Sequence, residues 1–294
     1  FVYGDKCMNI IWIDGGLGNQ MFQYALARSL QSQGKEIYID SSMLKYDGNH
    51  YELGIYSGCT AIGEVTGKDK DRLGDCRKDL VAKVRRKVLG YKKTHVVENG
   101  YRYHPEIFEL NQVYLEGYWQ SEKYFKIIEQ IIRSDFTFPE IKEENNLELV
   151  EQIVKGQSVS LHIRRGDYLE KKYAPMHGNI CNKKYYDNAI AYIRTRVEQP
   201  LFYVFTDDVQ WAKEQYKEQS DFIIIDGNNG DKSFRDMQLM SMCKHHIIAN
   251  SSFSWWGAWL DKNPEKIVVA PPKWFNLADT PDIWCEGWER VENE

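Results

Sequence analysis

The chain sets an apolar run, Ile10-Ile11-Trp12-Ile13, against the glycines Gly15-Gly16. A short continuous run closed by glycines predicts a strand buried on both faces, as in a parallel sheet. Phe22, Ala25, Leu26, Ser29 and Leu30 then recur at helical spacing until Gly34, and Ile37-Tyr38-Ile39 returns as a second strand. Such a β-α-β unit predicts an α/β architecture. Residues 63–95 are polar, and 78–95 reads as a basic amphipathic helix. Leu80, Val84 and Val88 share one face there, with Lys83, Arg85, Arg86 and Lys87 around it. The acidic, proline-containing stretch 138–146 predicts an interdomain linker. Beyond it, strands are expected at Val159–Ile163, Phe202–Phe205, Phe222–Ile225, His246–Ala249 and Ile267–Ala270, with helical patterns such as Tyr185–Val197 between them. No repeat is visible. The expectation is two α/β domains, 8–145 and 146–294, facing one another across a cleft.

Composition narrows the function. At 294 residues, 43% hydrophobic and 28% charged, the chain can bury a sizeable core. Its 38 Lys and Arg against 43 Asp and Glu leave a net charge of −5, which argues against a protein that coats nucleic acid. No run approaches the roughly 18 apolar residues of a membrane span, and no signal peptide is apparent. Met8 is the first methionine, so residues 1–7 read as a remnant ahead of the natural start. Cys7, Cys59, Cys76, Cys181, Cys243 and Cys285 are scattered without a C-x-x-C pair, which speaks against a zinc site or a disulfide framework and suits a reducing cytoplasm.

Three constellations carry chemistry. The loop Gly15-Gly16-Leu17-Gly18-Asn19-Gln20 joins strand to helix, where glycines permit close backbone approach and the helix start offers N–H groups to an anion. A dinucleotide fingerprint is the rival, with Asp40 as the ribose acid. Met21, however, stands where that fingerprint needs its third glycine. In Ser158–Tyr168, alternation puts Val159, Leu161 and Ile163 on one face and Ser160, His162 and Arg164 on the other. Arg164 would lie at the carboxyl end of its strand, suited to a bidentate grip on phosphate. A plain Arg164–Asp167 ion pair is the bland alternative, and Arg165-Gly166-Asp167 spells an adhesion tripeptide. The third constellation is an apolar strand ending at Asn250 and running into Ser251-Ser252-Phe253, a second candidate anion site at a helix start. Its tryptophans, Trp255, Trp256 and Trp259, read as core.

Between these, Phe202–Phe205 runs into Thr206-Asp207-Asp208. Such an acid pair either holds a divalent ion on a diphosphate or accepts N–H bonds from a guanine edge. Asp69-Lys70-Asp71 has a similar spelling but no strand before it, and reads as solvated surface.

Four motifs, GGLGNQMFQYALARSL at 15–30, HIRRGDY at 162–168, FTDD at 205–208 and NSSFSWWGAWL at 250–260, resemble in order and spacing the bacterial α-1,2-fucosyltransferase family. The resemblance implies a GT-B fold, two Rossmann-like domains flanking a cleft. It also implies inverting transfer of L-fucose from GDP-β-L-fucose to the 2-hydroxyl of a terminal galactose, without a metal or other cofactor. Arg164 would neutralise the leaving diphosphate, with Ser251, Ser252 and the Phe253 backbone on the same group. His162 and Asp207 or Asp208 would contact the guanosine. Gly16, Gly18, Asn19 and Gln20 would face the fucose and acceptor, with Asn19 catalytic beside Arg164. The general base is unassigned. A cytoplasmic enzyme follows, and the basic segment 78–95 could touch an anionic membrane where a lipid-linked acceptor resides. Two readings compete: a metal-dependent sugar-nucleotide transferase using Asp207 and Asp208, and a non-catalytic glycan-binding protein stacking its tryptophans on sugars.

Overall fold

The computed structural model describes residues 8–46, 48–77 and 79–293. The expectations for residues 1–7, Cys7 and Lys78 fall outside them. The chain forms two compact units, 1–139 with 281–283, and 140–280 with 284–294. The boundary therefore falls at Pro139/Glu140 rather than 145/146. Ile141 is buried in the second unit's core beside Ile153 and Leu239, and a helix begins at Glu144. One apolar residue among acids reads as linker in sequence but anchors the chain in space.

The first unit contains β1 (Met8–Trp12), α1 (Leu17–Ser32), β2 (Glu36–Asp40), β3 (Gly63–Glu64), α2 (Gly67–Leu73), α3 (Leu80–Leu89), β4 (His95–Val97), β5 (Tyr114–Glu116) and α4 (Glu129–Asp135). Its five strands are parallel, in the order β3-β2-β1-β5-β4. The second unit contains α5 (Glu144–Lys155), β6 (Ser158–Ile163), α6 (Ala174–His177), α7 (Lys183–Arg194), β7 (Leu201–Thr206), α8 (Val209–Tyr216), β8 (Phe222–Ile224), α9 (Phe234–Met242), β9 (His245–Ile247), α10 (Ser252–Leu260), β10 (Val268–Ala270) and β11 (Glu289–Arg290). Its six strands are also parallel, in the order β11-β10-β9-β6-β7-β8.

The second sheet reverses its direction of growth once, between β6 and β9; in the first, β4 lies at the far edge and β5 fills the place between it and β1. Open parallel sheets bind ligands outside the carboxyl ends of the strands at such a switch point. All six residues of β6 are buried. Val159, Leu161 and Ile163 pack with Tyr185, Ile190, Phe202 and Val204 on one side, while Tyr203, Phe205, Leu239 and Met240 form the core on the other. Trp255, Trp256 and Trp259 are buried, as read from the sequence. The described cysteines, Cys59, Cys76, Cys181, Cys243 and Cys285, are free thiols. Among the described residues, no helix is long and apolar enough to cross a membrane.

Candidate active site

In the second unit, the loops after β6, β7 and β9 carry the sequence motifs, and β6 pairs with both other strands. Arg164 follows β6 directly. Its Nε and Nη2 donate to Asp167 Oδ1 at 3.0 and 2.9 Å, and its Nη1 pairs with Asp207 Oδ2 at 3.1 Å. The bland ion pair with Asp167 thus exists, yet both Nη atoms keep N–H capacity beyond it. Burial works against the charge, but Asp207 and Asp167 outweigh it and push the guanidinium pKa further up. Arg165 lies 4.2 Å over the Trp211 ring, pairs with Asp208 Oδ2 at 3.2 Å and donates its backbone N–H to Asp207 Oδ1 at 2.8 Å. A Cβ on Gly166 would sit 2.8 Å from Asp207 Oδ2, so glycine lets the arginine turn close onto the β7 carboxylate.

These contacts settle what the two acids do inside the protein. Asp208 Oδ1 caps α8 by accepting from Trp211 N–H, and its Oδ2 holds Arg165. Asp207 holds Arg164 and the Arg165 backbone. Both carboxylates serve the arginines, and neither belongs to a group of three metal-ligating side chains among the described residues.

His162, the last but one residue of β6, is buried and held neutral. Burial first, then the neighbouring Arg164, lowers its pKa to about 3. Its ring lies 5.9 Å from that of Phe253, and its buried Nδ1 has no hydrogen-bond partner among the described residues. Its neighbour Ser160 needs no ligand. Its hydroxyl donates to His246 Nδ1 at 2.8 Å, and His246 Nε2 donates to Asp261 Oδ2 at 3.0 Å. This buried chain satisfies Ser160 on the polar face of β6 and leaves His162 Nδ1 as its unpartnered group.

Past β9, Asn250 ties the site together. Its amide donates to the carbonyls of His177 and Trp274, and its own carbonyl accepts from Tyr168 Oη at 2.9 Å. Tyr168 stacks on His177 with ring centroids 4.6 Å apart. The loops after β6 and β9 are thereby locked to each other. Ser251 stands at the N-cap of α10, but its side chain makes no capping bond. A helix start without a side-chain cap suits an anion.

In the first unit, Gly15 has φ +77°, and a Cβ there would lie 2.6 Å from Asn19 Nδ2. Glycine is required for the turn and for the approach of Asn19. Asn19 Oδ1 accepts from Gln120 Nε2 at 2.8 Å, linking the first turn of α1 to the loop after β5. Gln20 differs from expectation. It is fully buried, donates to the carbonyls of Gly15 and His50 at 2.8 Å each and accepts from Glu52 N–H at 2.9 Å. Its amide is spent clamping loops, so it does not face a sugar. Glu52 accepts from Leu17 N–H, and burial raises its pKa. The anion site at the start of α1 is thus already filled by the protein's own carboxylate. Asp40 is likewise engaged, by Tyr114 Oη at 2.7 Å and by Lys70, as a structural acid rather than a ribose ligand.

The sequence reading missed Gly117–Gln120. Trp119 adopts φ +53°, a conformation that is strained for an aromatic residue, while Glu98 Oε2 accepts from the N–H groups of Tyr118 and Trp119 at 2.7 and 3.2 Å. Burial drives the Glu98 pKa up to about 7. The only sequence signal was a Gly-aromatic pair after a three-residue apolar run.

A family model for glycosyl transferase family 11 matches residues 101–292. The chain belongs to this family. As a family 11 glycosyltransferase it is 34% identical over 300 residues to an α-1,2-colitosyltransferase of Escherichia coli, covering 95% of this chain and 97% of that one. It is 25% identical over 261 residues to the galactoside α-(1,2)-fucosyltransferase 1 of Ateles belzebuth, covering 85% and 64%. Among solved structures, the fucosyltransferase NodZ from Bradyrhizobium shares the fold, with a TM-score of 0.54 at 15% identity over 92% of this chain and 97% of that one. The fold expected of the family, two Rossmann-like units built on parallel sheets, is the one observed.

Proposed function

We propose that this glycosyltransferase moves L-fucose from GDP-β-L-fucose to the 2-hydroxyl of a terminal galactose, with inversion and without a metal. One observation carries the reading. Arg164, the unpartnered Nδ1 of buried His162 and the uncapped start of α10 stand on the loops of a single switch point. A cation, a neutral imidazole and an uncapped helix start suit a nucleoside diphosphate. Arg164 grips the β-phosphate, with Ser251, Ser252 and the Phe253 amide on the same group. His162 binds nearer the guanosine, and Asp207 and Asp208 act by fixing the arginines. Asn19, with Gly16 and Gly18, serves the sugar and the acceptor.

In the reaction, galactose O2 attacks C1 of fucose on the face opposite the diphosphate. The C1–O bond breaks, and its electron pair departs on GDP, where Arg164 and the α10 amides meet the developing charge. The proton of O2 leaves to a base. Glu52, Glu98 and Asp14 are the buried or half-buried acids near the glycine loop, and none is assigned that role. Family relatives use fucose or colitose, which is fucose without its 3-hydroxyl, so the donor is the finer point. A glycan-binding protein would leave Arg164 without a task, and Trp255, Trp256 and Trp259 are buried away from any sugar.

Calorimetric titration with GDP, with and without EDTA, tests the site. Binding that is indifferent to the chelator is expected, and binding that needs a divalent ion overturns the metal-free reading. Initial rates with GDP-fucose and GDP-colitose on a galactoside then test the donor. A preference for GDP-colitose overturns fucosyl specificity.

A further inference from the structure

Helix α3 sits on the first unit the wrong way round for a globular protein. Asp79 caps it, accepting from Ala82 N–H at 3.0 Å. Toward the body it presents Ala82, which is buried, and the half-buried Arg85 and Arg86. Both arginines pair with buried Asp75, and Arg86 Nη1 also donates to the Asp75 carbonyl at 2.8 Å. Asp75 is held in turn by its N–H donating to His95 Nδ1 at 2.8 Å, while His95 pairs with Glu116 at 2.9 Å. The helix is therefore attached by ions, and its apolar side faces away. Leu80, Val81 and Val88 are each exposed by about three quarters, and Val84 by 54%. On an α-helix these four fall within about a third of a turn, and Lys83 and Lys87 lie along one edge of that strip. Both lysines are exposed, as is nearby Lys93.

We propose that α3 docks this protein on an anionic lipid surface, Leu80, Val81, Val84 and Val88 entering the headgroup boundary while Lys83 and Lys87 meet lipid phosphates. The proposal is independent of the transferase reading. An apolar strip edged by lysines is what an interfacial helix needs, and the cationic edge stands out against a chain of net charge −5. The charges also argue against a second copy of this chain. Pairing two such strips antiparallel would bring Lys83 and Lys87 of both copies together, and in either orientation a ten-residue helix offers too little area for a stable dimer.

The test is flotation of the whole protein with phosphatidylcholine vesicles containing about 30 mol% phosphatidylglycerol, and with phosphatidylcholine alone. Binding to the anionic vesicles is expected, weakened by raising salt from about 100 to 500 mM. Two variants separate the parts: V84E with V88E, and K83E with K87E. Because all four side chains are exposed, unchanged melting curves and unchanged GDP titration are expected. Each pair should lower vesicle affinity by tenfold or more. No flotation with anionic vesicles, or equal flotation of wild type and V84E/V88E, overturns the proposal. So does a concentration-dependent dimer that V84E/V88E abolishes, because the face then belongs to a second copy. Loss of vesicle binding leaves GDP binding as it was, so failure here is distinguishable from failure of the transferase reading.

Discussion

Replacing Arg164 is the sharpest test of the diphosphate site. In the free protein its guanidinium makes three contacts of 2.9–3.1 Å with Asp167 and Asp207. Its side chain is 36% exposed, so each charge-assisted bond to phosphate belongs near the low end of ~1.5–3 kcal/mol. Two such bonds in the transition state give about 3 kcal/mol. In Arg164→Ala the two carboxylates lose their countercharge and repel the departing diphosphate by about another 1 kcal/mol. The sum predicts a fall in kcat/KM of about a thousandfold. Arg164→Lys restores the charge but not the planar pair of donors, and a fall of about thirtyfold is expected. The assay is release of GDP from GDP-fucose in the presence of a galactoside. Circular dichroism should show both variants folded, because Asp207 still holds the Arg165 backbone N–H. A folded Arg164→Ala enzyme within threefold of wild type would falsify the assignment, and wild-type rates for Arg164→Lys would remove the argument from bidentate geometry.

Three other outcomes follow from individual side chains. Gly15→Ala forces a Cβ into a positive-φ turn against Asn19, costing about 1–2 kcal/mol and lowering Tm by a few degrees. The KM for acceptor should rise while GDP binding, in the other unit, stays put, and an unchanged acceptor KM counts against Asn19. Glu98 has a folded pKa of about 7 against 4.5 when unfolded, so the native state holds its proton longer. Stability should therefore fall by ~3 kcal/mol as pH rises from about 4.5 to 7, and Glu98→Gln should flatten that slope in urea titrations; parallel slopes refute the burial argument. His162→Phe removes an unpartnered buried Nδ1 and keeps the ring, so Tm should hold or rise while GDP affinity drops about tenfold. Unaltered GDP affinity would place His162 outside the site.

The sequence was legible where periodicity and chemistry coincided. β1, β6, β7 and β9 are apolar runs that end in glycine, arginine, acid or serine, so pattern and motif pointed at the same loops. β4 and β5 escaped because the apolar runs that carry them, Val96-Val97 and Val113-Tyr114-Leu115, are only two and three residues long, whereas the equally short β8 and β10 lie in apolar runs of four. With β5 went the Gly117–Gln120 turn, whose positive φ at Trp119 no sequence rule assigns to tryptophan. Gln20 misled for a different reason. Its position in a glycine loop suggested exposure to a ligand, but which loops its amide would clamp depends on His50 and Glu52, some thirty residues away. Arg164 was read both as ligand and as ion pair, and it makes the ion pair with donors to spare.

Local charge also explains why only one of two similar strand–loop–helix motifs suits an anion. Both α1 and α10 begin without a side-chain cap from their own N-cap residue. At α1, Glu52 supplies a carboxylate to Leu17 N–H, which cancels the positive helix end and would repel a diphosphate. At α10 no carboxylate among the described residues is seen to fill that place, and Arg164 and neutral His162 stand on the neighbouring strand end. On local charge, the second unit suits a phosphate better than the first. What the first loop retains is Asn19, an uncharged side chain able to donate and accept, held by Gln120. That chemistry matches sugar hydroxyls. The division of labour proposed for the two motifs therefore rests on a difference in local charge, one that the glycine spacing, shared with dinucleotide-binding loops, does not reveal.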